Sequence, residues 1–261
     1  MKLRYALAAS LALVTAVPAL AADPAPFTGN VTLASDYKFR GFTQTRYKPT
    51  LQGGFDYASK SGFYIGNWNS NVEQSLYNGA SLEMDVYGGY KGTAGKLSYD
   101  IGAIYYAYPG SMGPKIDNKE IYFGIGAGPL TAKLFYSIDD YFSTQALFKA
   151  ANPGQTGGST KGTTYLDLAA THDLGGGWGI NGHVGFLNVK NGKMNGLVSK
   201  GVPADSVIDY KVGITKDISG WVLGLSYLTT SKKDFFLTGN LNGATKNAGD
   251  ARALVSLAKT F

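Results

Sequence analysis

The chain contains no cysteine, which excludes a disulfide framework, a thiolate metal site and thiol catalysis. Histidine is nearly as scarce: His172 and His183 are the only two, and two isolated imidazoles give no zinc-ligand spacing. A hydrolase built on Ser, His and an acid needs a histidine beside a serine with an orienting group. Neither histidine has such a motif around it; His172 is expected to begin a turn and His183 to be an ordinary hydrogen-bonded strand residue. A Walker A loop and a dinucleotide fingerprint are both missing, and residues 234–250 lack the ordered acidic spacing of a calcium loop. The expectation is a protein that is not an enzyme and needs no cofactor.

Long apolar runs are missing too. Beyond the N-terminus no stretch reaches the ~18 uncharged residues of a spanning helix. This does not exclude a membrane, because a barrel strand needs only about 9–11 alternating residues. No charge run stands out, and a net charge of +6 is too mild to argue for nucleic acid. Residues 1–22 have the layout of a secretory signal peptide: Lys2 and Arg4, then apolar Leu7 to Val17, then small residues to Ala22. The alternative is a retained anchor. Residues 23–261 are expected to form one domain.

What is abundant is glycine, at 36 residues, with 18 tyrosines and 13 phenylalanines. Glycine with aromatics suits curved, closely packed sheet. The dominant pattern has period two, which sends successive side chains to opposite faces of a strand. In 31–40 one parity carries Val31, Leu33, Tyr37 and Phe39, the other Thr32, Asp36, Lys38 and Arg40. The stretches 82–87 and 97–103 separate as cleanly.

Twelve such segments are expected, near 30–40, 49–58, 62–71, 81–91, 96–107, 119–128, 130–139, 162–172, 177–188, 206–216, 220–230 and 251–261. Their connections alternate short and long. The short ones fall at 59–61, 92–95, 129, 173–176 and 217–219; the longest long one spans about 140–161. Tight periplasmic turns alternating with longer outer loops are how outer-membrane barrels are built. The expected fold is therefore all-β, an antiparallel up-and-down transmembrane β-barrel of twelve strands in the bacterial outer membrane. A soluble periplasmic β-barrel or sandwich is the alternative, since it alternates too with its apolar parity turned inward. Lipid outside is favoured by charged or small residues at the centres of the polar parity. It is also favoured by aromatics near strand ends: Tyr57, Tyr64, Tyr90, Trp178, Trp221 and Phe261. The terminal Phe261 resembles the signal read by the barrel-assembly machinery, although Lys259 stands where a hydrophobic residue is usual.

A family resemblance rests on Ser35-Asp-Tyr-Lys-Phe-Arg-Gly-Phe-Thr-Gln44, on Leu51-Gln-Gly-Gly-Phe-Asp-Tyr57 and on Ser61-Gly-Phe-Tyr-Ile-Gly-Asn-Trp-Asn-Ser-Asn-Val72. Weaker echoes continue to Phe142. Together these resemble the TorF-type porin family, long carried as bacterial conserved hypothetical proteins. The resemblance implies an outer-membrane location and a pore, and no particular solute.

With apolar residues toward lipid, the lumen receives eight acids and five bases, a difference of −3. The acids are Asp36, Asp56, Glu83, Asp85, Asp100, Glu120, Asp167 and Asp209; the bases are Lys38, Arg40, Lys133, Lys211 and Arg252. These groups are candidate pore-lining residues. Two readings stand: a weakly cation-preferring pore for small solutes or ions, or a lumen filled by groups paired across strands. Twelve strands lie between a barrel filled by side chains and a wide channel. Lys38 and Arg40 either meet anions or lipopolysaccharide phosphates at the mouth or pair with carboxylates such as Asp56. In the long loop, Tyr141, Phe142, Leu147 and Phe148 form a candidate constriction or rest on neighbouring loops. A closed barrel whose loops bind lipopolysaccharide or a partner is the functional alternative. A monomer is expected, with outer-membrane lipid as its surroundings.

Overall fold

The computed structural model describes residues 26–241 and 244–261; the expected signal peptide lies outside them. Twelve strands close into one antiparallel barrel. They are β1 (Phe27–Ala34), β2 (Thr50–Ala58), β3 (Phe63–Asn71), β4 (Leu82–Ala94), β5 (Leu97–Ala107) and β6 (Asn118–Ala127). The circuit continues with β7 (Leu130–Ser137), β8 (Thr164–Gly175), β9 (Trp178–Asn188), β10 (Ser206–Ile218), β11 (Trp221–Thr230) and β12 (Arg252–Thr260). Each strand pairs with its neighbours in sequence, and β12 returns to β1, where Asn30 faces Thr260 and Ala34 faces Ser256. Gly29 and Phe261 exchange backbone hydrogen bonds of 2.7 and 2.9 Å at the seam. Closure leaves the barrel no unpaired edge, which a sheet surrounded by hydrocarbon requires.

The alternation seen in the sequence is inside-out in the fold. Along β6, Asn118, Glu120 and Tyr122 are buried, while Ile121, Phe123 and Ile125 are exposed. Phe27, Phe55 and Phe63 are 67, 63 and 63 % exposed; Glu83, Glu120 and Asp209 are each 1 % exposed. A soluble barrel has the reverse order. No helix among the described residues is long and apolar enough to cross a membrane; an apolar outer band on strands is the crossing element this fold offers.

One rim carries tight turns. Gly176-Gly177 and Ser219-Gly220 have positive φ at both positions (59° and 82°, 55° and 84°), the handedness that matches strand twist in two-residue hairpins. The turn expected at 92–95 is shorter than anticipated, because β4 and β5 stay paired down to Ala94 and Leu97. The opposite rim carries the longer loops, with one short helix, α1 (Thr144–Ala151).

At the turn rim Tyr57, Trp178, Trp221 and Phe261 face outward. Lys216 and Lys259 lie 4.8 Å over the Trp178 and Trp221 rings. Amphipathic lysines of this kind keep the stem on apolar surface and the ammonium at its edge, which explains Lys259. Tyr64 departs from expectation: it points inward, and its hydroxyl donates to Asp100 at 2.6 Å.

The largest correction concerns the expected strand 30–40. The strand ends at Ala34, and residues 35–49 turn into the barrel mouth with a small hairpin, Lys38–Phe39 against Phe42–Thr43. The alternation runs on past Ala34, but the neighbours do not: β2 begins opposite Ala34 and pairs no further. Side chains replace the lost ladder, with Thr43 and Thr45 hydroxyls donating to Asp36 at 2.6 and 2.8 Å.

Candidate functional site: the barrel lumen and its inserted hairpin

The hairpin is held in the lumen by alternate residues: Arg40 bonds to the wall, and Lys38 and Phe42 meet neighbouring loop residues. Arg40 and Gly41 take φ values of 48° and 83° at its tip. A Cβ on Gly41 would lie 2.6 Å from the Asp209 Cβ, so only glycine fits against β10. Arg40 then reaches Glu120 on β6 in a bidentate pair, 2.9 and 2.6 Å, with both side chains almost fully buried. The guanidinium is 4.5 Å from the Tyr165 ring and 4.7 Å from that of Phe39. Glu120 also accepts from Tyr106 at 3.3 Å and Ser137 at 3.2 Å. A planar charged fork held on two oxygens between aromatic faces is both strong and geometrically specific.

The other hairpin contacts spread the load. Tyr37 donates to Glu83 at 3.2 Å and meets Trp68 edge-on at 5.5 Å. Phe42 packs on Phe235 and Phe236, at 6.2 and 4.9 Å between ring centres. Lys38 donates to the backbone oxygens of Asp250 and Gly41 at 2.6 and 3.3 Å. Burial pushes the Lys38 ammonium down to about 8, and raises the Asp36 carboxyl above its ordinary range. The expected pairing of Lys38 and Arg40 with Asp56 is therefore replaced: Asp56 accepts from Tyr87 at 2.6 Å instead. Nor do Asp36, Lys38 and Arg40 line the wall as strand residues; they belong to the insert, which sits across the lumen at the loop rim.

The long loop adds to the insert. Tyr141 is buried and its hydroxyl accepts from Arg40 at 3.2 Å. Phe142 lies 5.7 Å from Phe39 and 5.4 Å from Tyr106. Leu147 packs against the same cluster, whereas α1 has no buried residue and Phe148 lies beside Gly157 and Gly196 of the outer loops. Of the four candidate constriction residues, Tyr141 and Phe142 thus reach the mouth and Phe148 rests among the loops.

The strands of the wall carry the remaining charges, from Asp100 and Lys133 near the turn rim to Asp209 and Arg252 near the loop rim. Asp100 pairs with Lys133 at 2.6 Å. His183 has Asp167 at 2.9 Å from Nδ1 and Asp209 at 3.3 Å from Nε2, and Tyr165 donates to Asp209 at 3.2 Å. Lys211 is half-buried on β10, and Arg252 is exposed near the loop rim, 4.4 Å over the Tyr47 ring. His172 is on the outward parity of β8 within the strand rather than at a turn. Among the described residues no group of three or more His, Cys, Asp or Glu is placed to hold a metal ion.

A family model covers residues 18–261 under the description of a bacterial protein of unknown function, Gcw_chp. The chain belongs to the Gcw_chp family. That description does not carry the TorF name, which stays a resemblance. No curated protein sequence matches the chain significantly. Among solved structures, a KdgM porin aligns at TM-score 0.52 and 9 % identity over 90 % of this chain and 99 % of its own. A KdgM porin in complex with disordered oligogalacturonate aligns at 0.51 and 10 %, over 90 % and 98 %. The NanC porin aligns at 0.53 and 7 %, over 89 % and 98 %. At such identities the likeness is one of fold: the chain has the architecture of an outer-membrane porin barrel.

Three features of this Gcw_chp lumen escape a reading by residue pattern. Lys91 lies on the inward parity of β4, which continues to Ala94, three residues past the expected end. His183 bridges two carboxylates on neighbouring strands, which strand register alone reveals. Inward tyrosines hold the carboxylates: Tyr37 on Glu83, Tyr64 on Asp100, Tyr87 on Asp56, Tyr165 on Asp209. The available signal was parity, since Tyr64 shares its face with Trp68 and Ser70 rather than with Phe63 and Ile65.

Proposed function

We propose that the chain is an outer-membrane channel for passive diffusion of small hydrophilic solutes or ions, closed in this conformation by the inserted hairpin. The supporting observation is the combination of an apolar outer band with a charged lumen whose loop-side end is filled by a latched segment. In this reading the tight turns face the periplasm, the loops face outside, and the barrel works as a monomer in lipid and lipopolysaccharide. Phe261, 67 % exposed at the turn rim, is available there to the barrel-assembly machinery.

The hairpin is the aperture. Removing one partner of a buried ion pair costs about 3–5 kcal/mol, so Arg40→Ala should displace the hairpin. Planar-bilayer recordings are expected to show low or intermittent conductance for the native protein and a larger, steadier conductance for the variant. Silence in both would sink the channel and favour the second reading, a closed barrel whose loops bind lipopolysaccharide or a partner; the filled mouth is what favours that reading. A weak cation preference follows from the excess of lumen acids over bases, eight against six once Lys91 is added to the inward set. A reversal potential of zero in a salt gradient would refute that preference.

A further inference from the structure

Five charges on the lumen wall, Lys91, Asp100, Lys133, Asp167 and Asp209, lie on one oblique row. Strand register places Lys91 of β4 opposite Asp100 of β5, Asp100 opposite Gly124 of β6, and Gly124 opposite Lys133 of β7. Lys133 is opposite Asp167 of β8, Asp167 opposite Gly185 of β9, and Gly185 opposite Asp209 of β10. Lys91 is near the turn-rim end of β4 and Asp209 near the loop-rim end of β10. Because barrel strands are tilted, a row of paired residues climbs the wall as it circles. The row therefore rises from the turn rim to the hairpin tip, where Gly41 rests on Asp209.

Signs alternate over the first four charges, Lys91, Asp100, Lys133 and Asp167. The His183 imidazole then lies between Asp167 and Asp209. The two glycines clear the way: the Lys133 chain passes over Gly124, and Tyr165 covers Gly185. Two ammonium groups on or beside the row make no hydrogen bond or ion pair among the described residues. Lys91 stands 4.3 Å over the Tyr64 ring at the turn-rim end, and Lys211, opposite His183, stands near the other end.

We propose that this row is a transfer track for zwitterionic solutes, small molecules with an ammonium and a carboxylate a few ångströms apart; the proposal rests on the barrel being a channel. A simple anion attracted to Lys91 meets Asp100 next, and a simple cation at Asp100 meets Lys133, so each monopole finds a repulsive step beside every attractive one. A dipolar solute places its carboxylate on a lysine and its ammonium on the adjoining aspartate. It exchanges partners two at a time, leaving no wall charge unpaired. An uncharged polyol has nothing to offer a separated pair. The free ammonium groups at the two ends are where the solute's carboxylate first engages.

The test is isotonic swelling of proteoliposomes in serine and in erythritol, on the native protein and on Arg40→Ala, taking the ratio of the two rates within one preparation. Serine should enter about fivefold faster, the ratio expected from one partly exposed ion-pair contact. The double variant Asp100→Asn with Lys133→Met should bring that ratio near unity, and the exchanged pair Asp100→Lys with Lys133→Asp, which keeps the net charge but sets like signs side by side along the row, should lower it as well. Erythritol and serine entering equally fast through native protein and Arg40→Ala would overturn the track and leave the channel standing. A ratio that survives the neutral double variant would also overturn it. Entry of neither solute in either protein would remove the channel itself, and the track with it.

Discussion

Arg40 and Gly41 show how two adjacent residues can hold a segment in a barrel mouth. The glycine permits the tip to lie against β10, and the guanidinium then reaches Glu120. Gly41→Ala brings a Cβ to 2.6 Å from that of Asp209 at a φ of 83°, so it should loosen the hairpin without touching the ion pair. Raised conductance similar to that of Arg40→Ala is expected, and unchanged conductance would count against docking as the closing step. Protons should act on the same equilibrium. Lys38 is lowered to about 8 by burial, so docking releases its proton; this contribution is present above the ordinary lysine range and is lost as pH falls through about 8. Asp36 is raised by burial, so its contribution is present at low pH and is lost as pH rises past its docked value. Asp209, Asp250 and Arg252 act electrostatically on Lys38, and Lys38 in turn on Asp36. Unfolded or undocked states binding more protons are favoured by acid, and the reverse by base. Both effects disfavour docking most between the raised docked value of Asp36 and about pH 8. Open probability is expected to be highest there and to fall as pH rises toward 10; a flat profile would exclude Lys38 as a titrating contact.

Strands were readable from period two because each sends one parity to lipid and the other to the lumen, so the pattern survives even where residues vary. Their ends were less readable. At Ala34 the alternation continues while the pairing partners stop, and nothing within 31–40 marks that event. Parity put Asp36, Lys38 and Arg40 inside and Tyr37 and Phe39 outside, yet Tyr37 is 2 % exposed and Phe39 packs on Tyr106 in the mouth. The partners Glu120 and Asp250 are 80 and 212 residues away from Arg40 and Lys38, beyond any local pattern. Tight turns were visible through glycine, and their conformation makes them testable. Gly176 and Gly177 both have positive φ, a region that costs other residues roughly 1–2 kcal/mol each. Replacing both with alanine should destabilise the barrel by about 2–4 kcal/mol in urea unfolding from lipid vesicles. The same change at Gly175, which is flanked by open space and ends β8, should cost no more than one such increment.

For the molecule as a whole, the decisive property is which parity faces out, because the same alternation builds a soluble barrel when reversed. Three tryptophans report on it from different places. Trp178 and Trp221 lie on the outer face at the turn rim, 45 and 43 % exposed, while Trp68 is 8 % exposed on the inner face beneath Tyr37. Lipid tails brominated near the headgroup can quench only indoles they touch. Variants retaining one tryptophan each, with the others changed to phenylalanine, separate the three signals. In such vesicles Trp178 and Trp221 should be quenched strongly and more by shallow than by deep bromines, since interface aromatics sit near the headgroups. Trp68 should be quenched little at any depth and should respond instead to Arg40→Ala, which lifts the Tyr37 segment from above it. Strong quenching of Trp68 with protected Trp178 and Trp221 would mean that the polar face meets lipid, a result no channel reading of this barrel could survive.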